Sequence, residues 1–97
     1  MSVNLARVAG DSMSPALRHD DYVVIGKGPL SRYHPGQIVM VRHPRFGTII
    51  KRVREVQGRR YLLGGDHPCS TSSKRLGWVH HDSIVGKVLL HVASPVS

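Results

Sequence analysis

Thr48-Ile49-Ile50-Lys51-Arg52-Val53, continued by Arg54-Glu55-Val56, is rich in β-branched residues and free of glycine and proline, and it reads as a strand. Alternate side chains of a strand share a face, so Ile49, Lys51 and Val53 point one way and Ile50, Arg52 and Arg54 the other. Lys51 is therefore the charge on the more apolar face. An ammonium pressed into apolar surroundings loses hydration and, unless a carboxylate pairs with it, gives up its proton more readily. No acidic residue occurs between Phe46 and Arg54. A strand lysine can equally lie on a solvent face or snorkel past apolar neighbours to water, and the alternation alone leaves both placements open.

Runs of the same kind recur on either side, at Val3 to Val8, Tyr22 to Gly26, Gln37 to Arg42, Arg60 to Leu63 and Ser83 to Val92. Between them stand reversal signals: Gly28-Pro29, His34-Pro35-Gly36, His43-Pro44, Gln57-Gly58 and Gly64-Gly65. Short strands at this spacing, with no long helical period to compete, predict a mainly β fold built on a small antiparallel sheet. No repeat, low-complexity tract or interdomain linker interrupts it.

The second informative stretch is Gly10-Asp11-Ser12-Met13-Ser14-Pro15-Ala16-Leu17. These residue types suit a turn, and a serine among them is commonly no more than a turn residue. Met13 to Leu17 has room for one helical turn, with Asp11 or Ser12 near its amino end, where free backbone N–H groups favour developing negative charge. A serine hydroxyl is a weak nucleophile until a base takes its proton as it attacks, and a neutral lysine is such a base. Ser12 and Lys51 are each ambiguous alone and gain meaning as a pair.

Ninety-seven residues predict a single domain over 1–97 and exclude a long multidomain enzyme. Fourteen basic against six acidic residues give a formal charge of +8, which permits attraction to nucleic acid, an anionic membrane or an acidic protein. The basic pairs Lys51-Arg52, Arg59-Arg60 and Lys74-Arg75 are scattered, and one Trp, one Phe and three Tyr provide little aromatic interleaving, so a dedicated nucleic-acid module is not the first reading. The one cysteine, Cys69, forms no internal disulfide, which fits a reducing compartment. Without an apolar stretch near Met1 or any run approaching about eighteen apolar residues, no export signal or membrane span is expected, and the expected location is the cytoplasm.

Four ordered blocks now stand together: Gly10-Asp11-Ser12-Met13-Ser14-Pro15 with Ala16-Leu17, His19-Asp20-Asp21-Tyr22-Val23-Val24, Ile50-Lys51-Arg52-Val53 and Leu63-Gly64-Gly65-Asp66. From about Arg7 to Val88 they resemble the serine/lysine peptidase superfamily of type I signal peptidases and self-cleaving SOS repressors. The resemblance implies a β-barrel-like catalytic fold with a short helical turn after the nucleophile, Ser12 as nucleophile and Lys51 as general base. Within the superfamily, the compact length and Gly65-Asp66-His67-Pro68 look most like the maturation proteases of nickel-type superoxide dismutase. That likeness implies a protein precursor with an N-terminal leader as partner, no specific nucleic acid and no cofactor. Ser70 matches a hydroxyl that orients the lysine. The family's later aspartate and arginine fall on Ser72 and Lys74, which puts a salt bridge there in doubt. Gly10 stands where many signal peptidases carry an oxyanion-binding hydroxyl, so backbone N–H groups around Asp11 and Ser12 would serve. Met13 packs against substrate or core, and Asp66 is a supporting loop residue bonding backbone N–H groups.

Other chemistries fit less well. His67 with Cys69, and His80-His81-Asp82, lack the spacing of known metal sites, so no metal is expected, and the latter group reads as a polar loop before the last strand. None of the seven histidines has the context of a Ser-His-Asp triad. Cys69 has no evident base and reads as a small inert side chain. Two non-enzymatic alternatives are a basic β-barrel binding nucleic acid or an acidic partner, and a domain that holds peptides without cutting them.

Overall fold

The structure is a computed structural model and describes residues 2–9, 13, 16–28, 32–66 and 76–93. Seven strands form one antiparallel sheet: β1 (Ser2–Arg7), β2 (Tyr22–Lys27), β3 (Ile38–His43), β4 (Gly47–Gln57), β5 (Arg60–Gly64), β6 (Trp78–His80) and β7 (Ile84–Val92). Their spatial order is β1-β2-β7-β3-β4-β5-β6. The mainly β expectation holds, and six strands fall on the six runs read from the sequence. β6 is additional: its three residues are too few to show a period. Of His80-His81-Asp82, expected as a polar loop, His80 ends β6, while His81 and Asp82 join Ser83, expected to open the last strand, in a 3₁₀ turn in which the Asp82 N–H donates to His80 Nδ1. The Leu17 N–H donates to the Met13 carbonyl at 2.9 Å, an i to i−4 bond; Ser14 and Pro15 between them lie outside the described residues.

Local chemistry sets the hairpins. β3 and β4 are joined by a three-residue turn, with His43 opposite Gly47, and Gly47 adopts φ +73°, a conformation glycine reaches without Cβ strain. β4 and β5 are joined by Gly58-Arg59, with Gly58 at φ +59°. The central strands serve two cores because each has both faces covered. Val39 and Val41 of β3 and Val53 of β4 enter a cluster with Tyr33, Tyr61, Leu63, Leu76, Val79 and Ile84. The opposite face, carrying Ile38, Met40 and Ile50, packs on a second cluster of Val8, Met13, Leu17, Val23 and Ile25. Burying each Val or Leu contributes roughly 1.5–3 kcal/mol. β7 crosses between β2 and β3 at Gly86, where a Cβ would lie 2.7 Å from the Gly26 carbonyl oxygen, so only glycine permits that approach.

β5 pairs with β4 only from Arg52 onward, so along Gly47–Lys51 the strand has β3 on one side and, among the described residues, no strand on the other. Among the described residues no helix is long and apolar enough to cross a membrane.

Candidate active site

Lys51 lies on the face the alternation predicts. It is 4% exposed, between half-buried Ile49, which packs on the first core, and Val53 at 1%. The solvent-face alternative is thereby overturned. None of the ion pairs among the described residues involves Lys51. Burial strips the ammonium of water and lowers its pKa from the ordinary 10.5.

A cavity of about 350 Å³ opens beside this amine. Four consecutive β4 residues, Thr48 to Lys51, line it. Consecutive strand residues point to opposite faces, so one cavity touches all four only by wrapping the side of the strand on which, among the described residues, no strand pairs. Its other walls are the end of β1 with Val8 and Ala9, Met13 from the second core, Met40 of β3, Phe46 of the β3–β4 turn and Leu76 from the first core. Arg7 brings a second cationic side chain. The chain reaches this place because Val8 and Asp21 are zipped together: the Val8 N–H donates to Asp21 O at 2.7 Å and the Asp20 N–H to Val8 O at 2.8 Å. Buried Asp21 also accepts from the Arg18 N–H at 3.0 Å and meets His91 Nε2 of β7 at 2.7 Å, bracing the segment that follows Met13 against the sheet.

Backbone direction along β4 follows from Val53. Its N–H donates to Gln37 O and its carbonyl accepts from the Gly36 N–H, both at 2.8 Å, so Val53 turns its polar groups toward the β3 side. Alternation gives Lys51 and Ile49 the same direction and turns those of Ile50 and Thr48 toward the open edge.

The expected site residues divide. Lys51 and Met13 line one cavity, with Met13 buried as a core residue of the second cluster. Asp66 stands apart on the other face of β4. Its carboxylate was expected on backbone N–H groups, yet the partners seen are guanidinium groups: Arg52 donates through Nε at 2.8 Å and Nη2 at 2.6 Å, with Arg54 Nη2 at 3.7 Å. Arg52 pairs with Gly64 across the hairpin and so reaches the loop that carries Asp66. These cations hold the Asp66 carboxyl below its usual range. Asp11, Ser12 and Ser70, with Gly10, His67, Cys69, Ser72 and Lys74, lie outside the described residues. No group of three or more potential metal-ligating side chains occurs among the described residues.

Sequence reasoning missed Phe46, Leu76 and His43, which shape the cavity or its wall. Only His43 left a signal: it shares parity with Val39 and Val41 and is buried on their face.

No curated protein matches the chain. The profile of the Peptidase S24-like family matches residues 2–89, from the first residue of β1 well into β7. That span takes in the whole cavity, the buried lysine and the serine-bearing segment before Met13. A match over nearly the full chain, on an antiparallel sheet, gives the function its general type, that of a serine peptidase. The chain belongs to the Peptidase S24-like family, in the superfamily shared by the self-cleaving SOS repressors and type I signal peptidases.

Proposed function

We propose that the protein is a serine endopeptidase in which Ser12 is the nucleophile and Lys51 the general base, and that it removes the leader of a protein precursor. The observation that carries this reading is Lys51: a desolvated amine without an ion-pair partner among the described residues, on the wall of a cavity that Met13 also lines. Ser12 directly precedes Met13 in the sequence.

In this mechanism neutral Lys51 takes the Ser12 proton as the serine oxygen attacks the scissile carbonyl. Backbone N–H groups around Asp11 and Ser12 receive the oxyanion. Collapse breaks the C–N bond, the departing amine takes the proton from Lys51, and the lysine then accepts a proton from the water that hydrolyses the acyl-serine. The substrate lies as an added strand along the free edge of β4, meeting the outward backbone groups of Thr48 and Ile50. Small residues precede the cut.

The precursor we favour is that of nickel-type superoxide dismutase, on the resemblance carried by Gly65-Asp66-His67-Pro68 and the compact length. Incubation of that precursor with the protein, with the product's new N-terminus read by mass spectrometry, tests both levels. Cleavage by wild type and intact precursor with Ser12→Ala and with Lys51→Ala are expected. Processing by both variants overturns the dyad. Cleavage of another leader but not this one overturns only the choice of precursor. The rate should climb with pH as Lys51 sheds its proton, on a limb lying below 10.5.

A further inference from the structure

His43, the last residue of β3, takes no part in the reaction above, and it is 6% exposed. Both ring nitrogens are engaged. Nδ1 lies 3.1 Å from the Arg45 N–H nitrogen and 3.3 Å from that of Phe46, groups that only donate. Nε2 lies 2.8 Å from the Leu76 carbonyl oxygen, which only accepts. Assigned from this network, the ring is the neutral tautomer with its proton on Nε2. It also packs on the Phe46 ring, with centroids 5.0 Å apart. One uncharged side chain thus fastens the β3–β4 turn to a segment more than thirty residues later, and the two residues it fastens, Phe46 and Leu76, both line the cavity beside Lys51.

We propose that His43 is a positioning residue for Lys51: by tying the β3–β4 turn to the Leu76 carbonyl, it keeps Phe46 and Leu76 packed beside the amine and limits the water that solvates it. The inference rests on the reading of Lys51 as the base, but its test needs neither Ser12 nor a substrate. Loss of the tie lets the turn and Leu76 part, and the additional water reaching the amine restores the hydration of the ammonium. Arg7, the other cation on the cavity wall, and Arg52, held by Asp66 on the opposite face, are not bonded to His43, so their fields stay in place when it is replaced.

The test uses the full chain as wild type, His43→Ala, His43→Gln and His43→Asn. Labelling of Lys51 by acetic anhydride is followed across pH by peptide mass spectrometry, and circular dichroism reports the fold. The midpoint of the profile reads the amine's environment separately from its accessibility. In His43→Ala the midpoint is expected to move up toward 10.5, leaving a several-fold smaller fraction of free amine at any pH below it. Glutamine, whose amide N–H reaches about where Nε2 stood, should restore the midpoint. Asparagine, which replaces only the Nδ1 acceptor, should resemble alanine. If alanine does not fold, the glutamine and asparagine variants decide by the same contrast. An unchanged midpoint in the folded variants, or no glutamine rescue, overturns the proposal, as does loss of fold in all three, which would make His43 a folding residue. Ser12→Ala should keep the wild-type labelling profile while losing cleavage, so cleavage by that variant would refute the dyad and leave the role of His43 standing.

Discussion

At the scale of single residues, Lys51 carries a stability cost with a definite pH signature. Its pKa in the folded chain lies below the 10.5 of the unfolded one because burial removes water from the ammonium. Between those two values the unfolded state binds more protons, so stability rises with pH across that window. Lys51→Met fills similar space with no charge to desolvate. It should melt several degrees above wild type at neutral pH, and the gap should close as pH rises through the folded pKa toward 10.5. Calorimetry of both proteins across that range checks this. Equal melting temperatures at neutral pH would mean that the amine keeps its hydration. The face that carries Lys51 was legible because a period of two needs only its immediate neighbours; its burial was not, because that depends on what packs on the face from elsewhere in the chain. Asp66 was not: its carboxylate answers to Arg52, fourteen positions back, and only the β4–β5 register brings them together.

At the scale of elements, the Gly47–Lys51 half of β4 is paired with β3 on one side and, among the described residues, meets no strand on the other. Proline removes a backbone N–H, so its effect along Thr48 to Lys51 should alternate with position. Thr48 turns its N–H away from β3, and Thr48→Pro should leave the sheet folded while raising KM for an extended substrate. Ile49 turns its N–H toward β3, and Ile49→Pro should break the β3–β4 ladder and cost about 3 kcal/mol or more of stability. Urea melts together with steady-state kinetics separate the two outcomes. A Thr48→Pro enzyme with unchanged KM would remove the edge from substrate binding. The existence of β4 could be read from residue types, but its free half could not. That half depends on where β5 stops pairing, a tertiary fact with no local signature. β6 escaped for a simpler reason, since Trp78–His80 is shorter than one readable alternation.

At the scale of the whole molecule, the order β1-β2-β7-β3-β4-β5-β6 inserts the last strand between the second and the third, so the sheet cannot be completed until the C-terminal strand arrives. Hairpins could be anticipated from turn residues. This insertion could not, because it is enforced by the close approach at Gly86 and by two cores that share the central strands. The formal charge of +8 acts at the same scale. Exposed pairs such as Arg7 with Asp20 and Arg59 with Asp82 contribute at most about 1 kcal/mol each and leave a large positive excess. Raising sodium chloride from low concentration to about 0.15 M, where the screening length falls to about 8 Å, should therefore raise the melting temperature by relieving self-repulsion. A falling melting temperature in scanning fluorimetry would show that the ion pairs outweigh it.

The clamp on Val53 by Gly36 and Gln37 has a consequence for heredity as much as for folding. Lys51 and Arg52 are neighbours on opposite faces, and sliding β4 by one position past β3 would bring Arg52 to the place of Lys51 in one direction and Ile50 in the other. Neither replaces the amine: a guanidinium holds its proton at every pH a protein survives, and an isoleucine has no titrating group. A single codon removed from the turn at 44–46, or added to it, could thus keep a plausible sheet while displacing the base proposed for Ser12, so a change of turn length that keeps Lys51 in place must leave the β3–β4 register as it is.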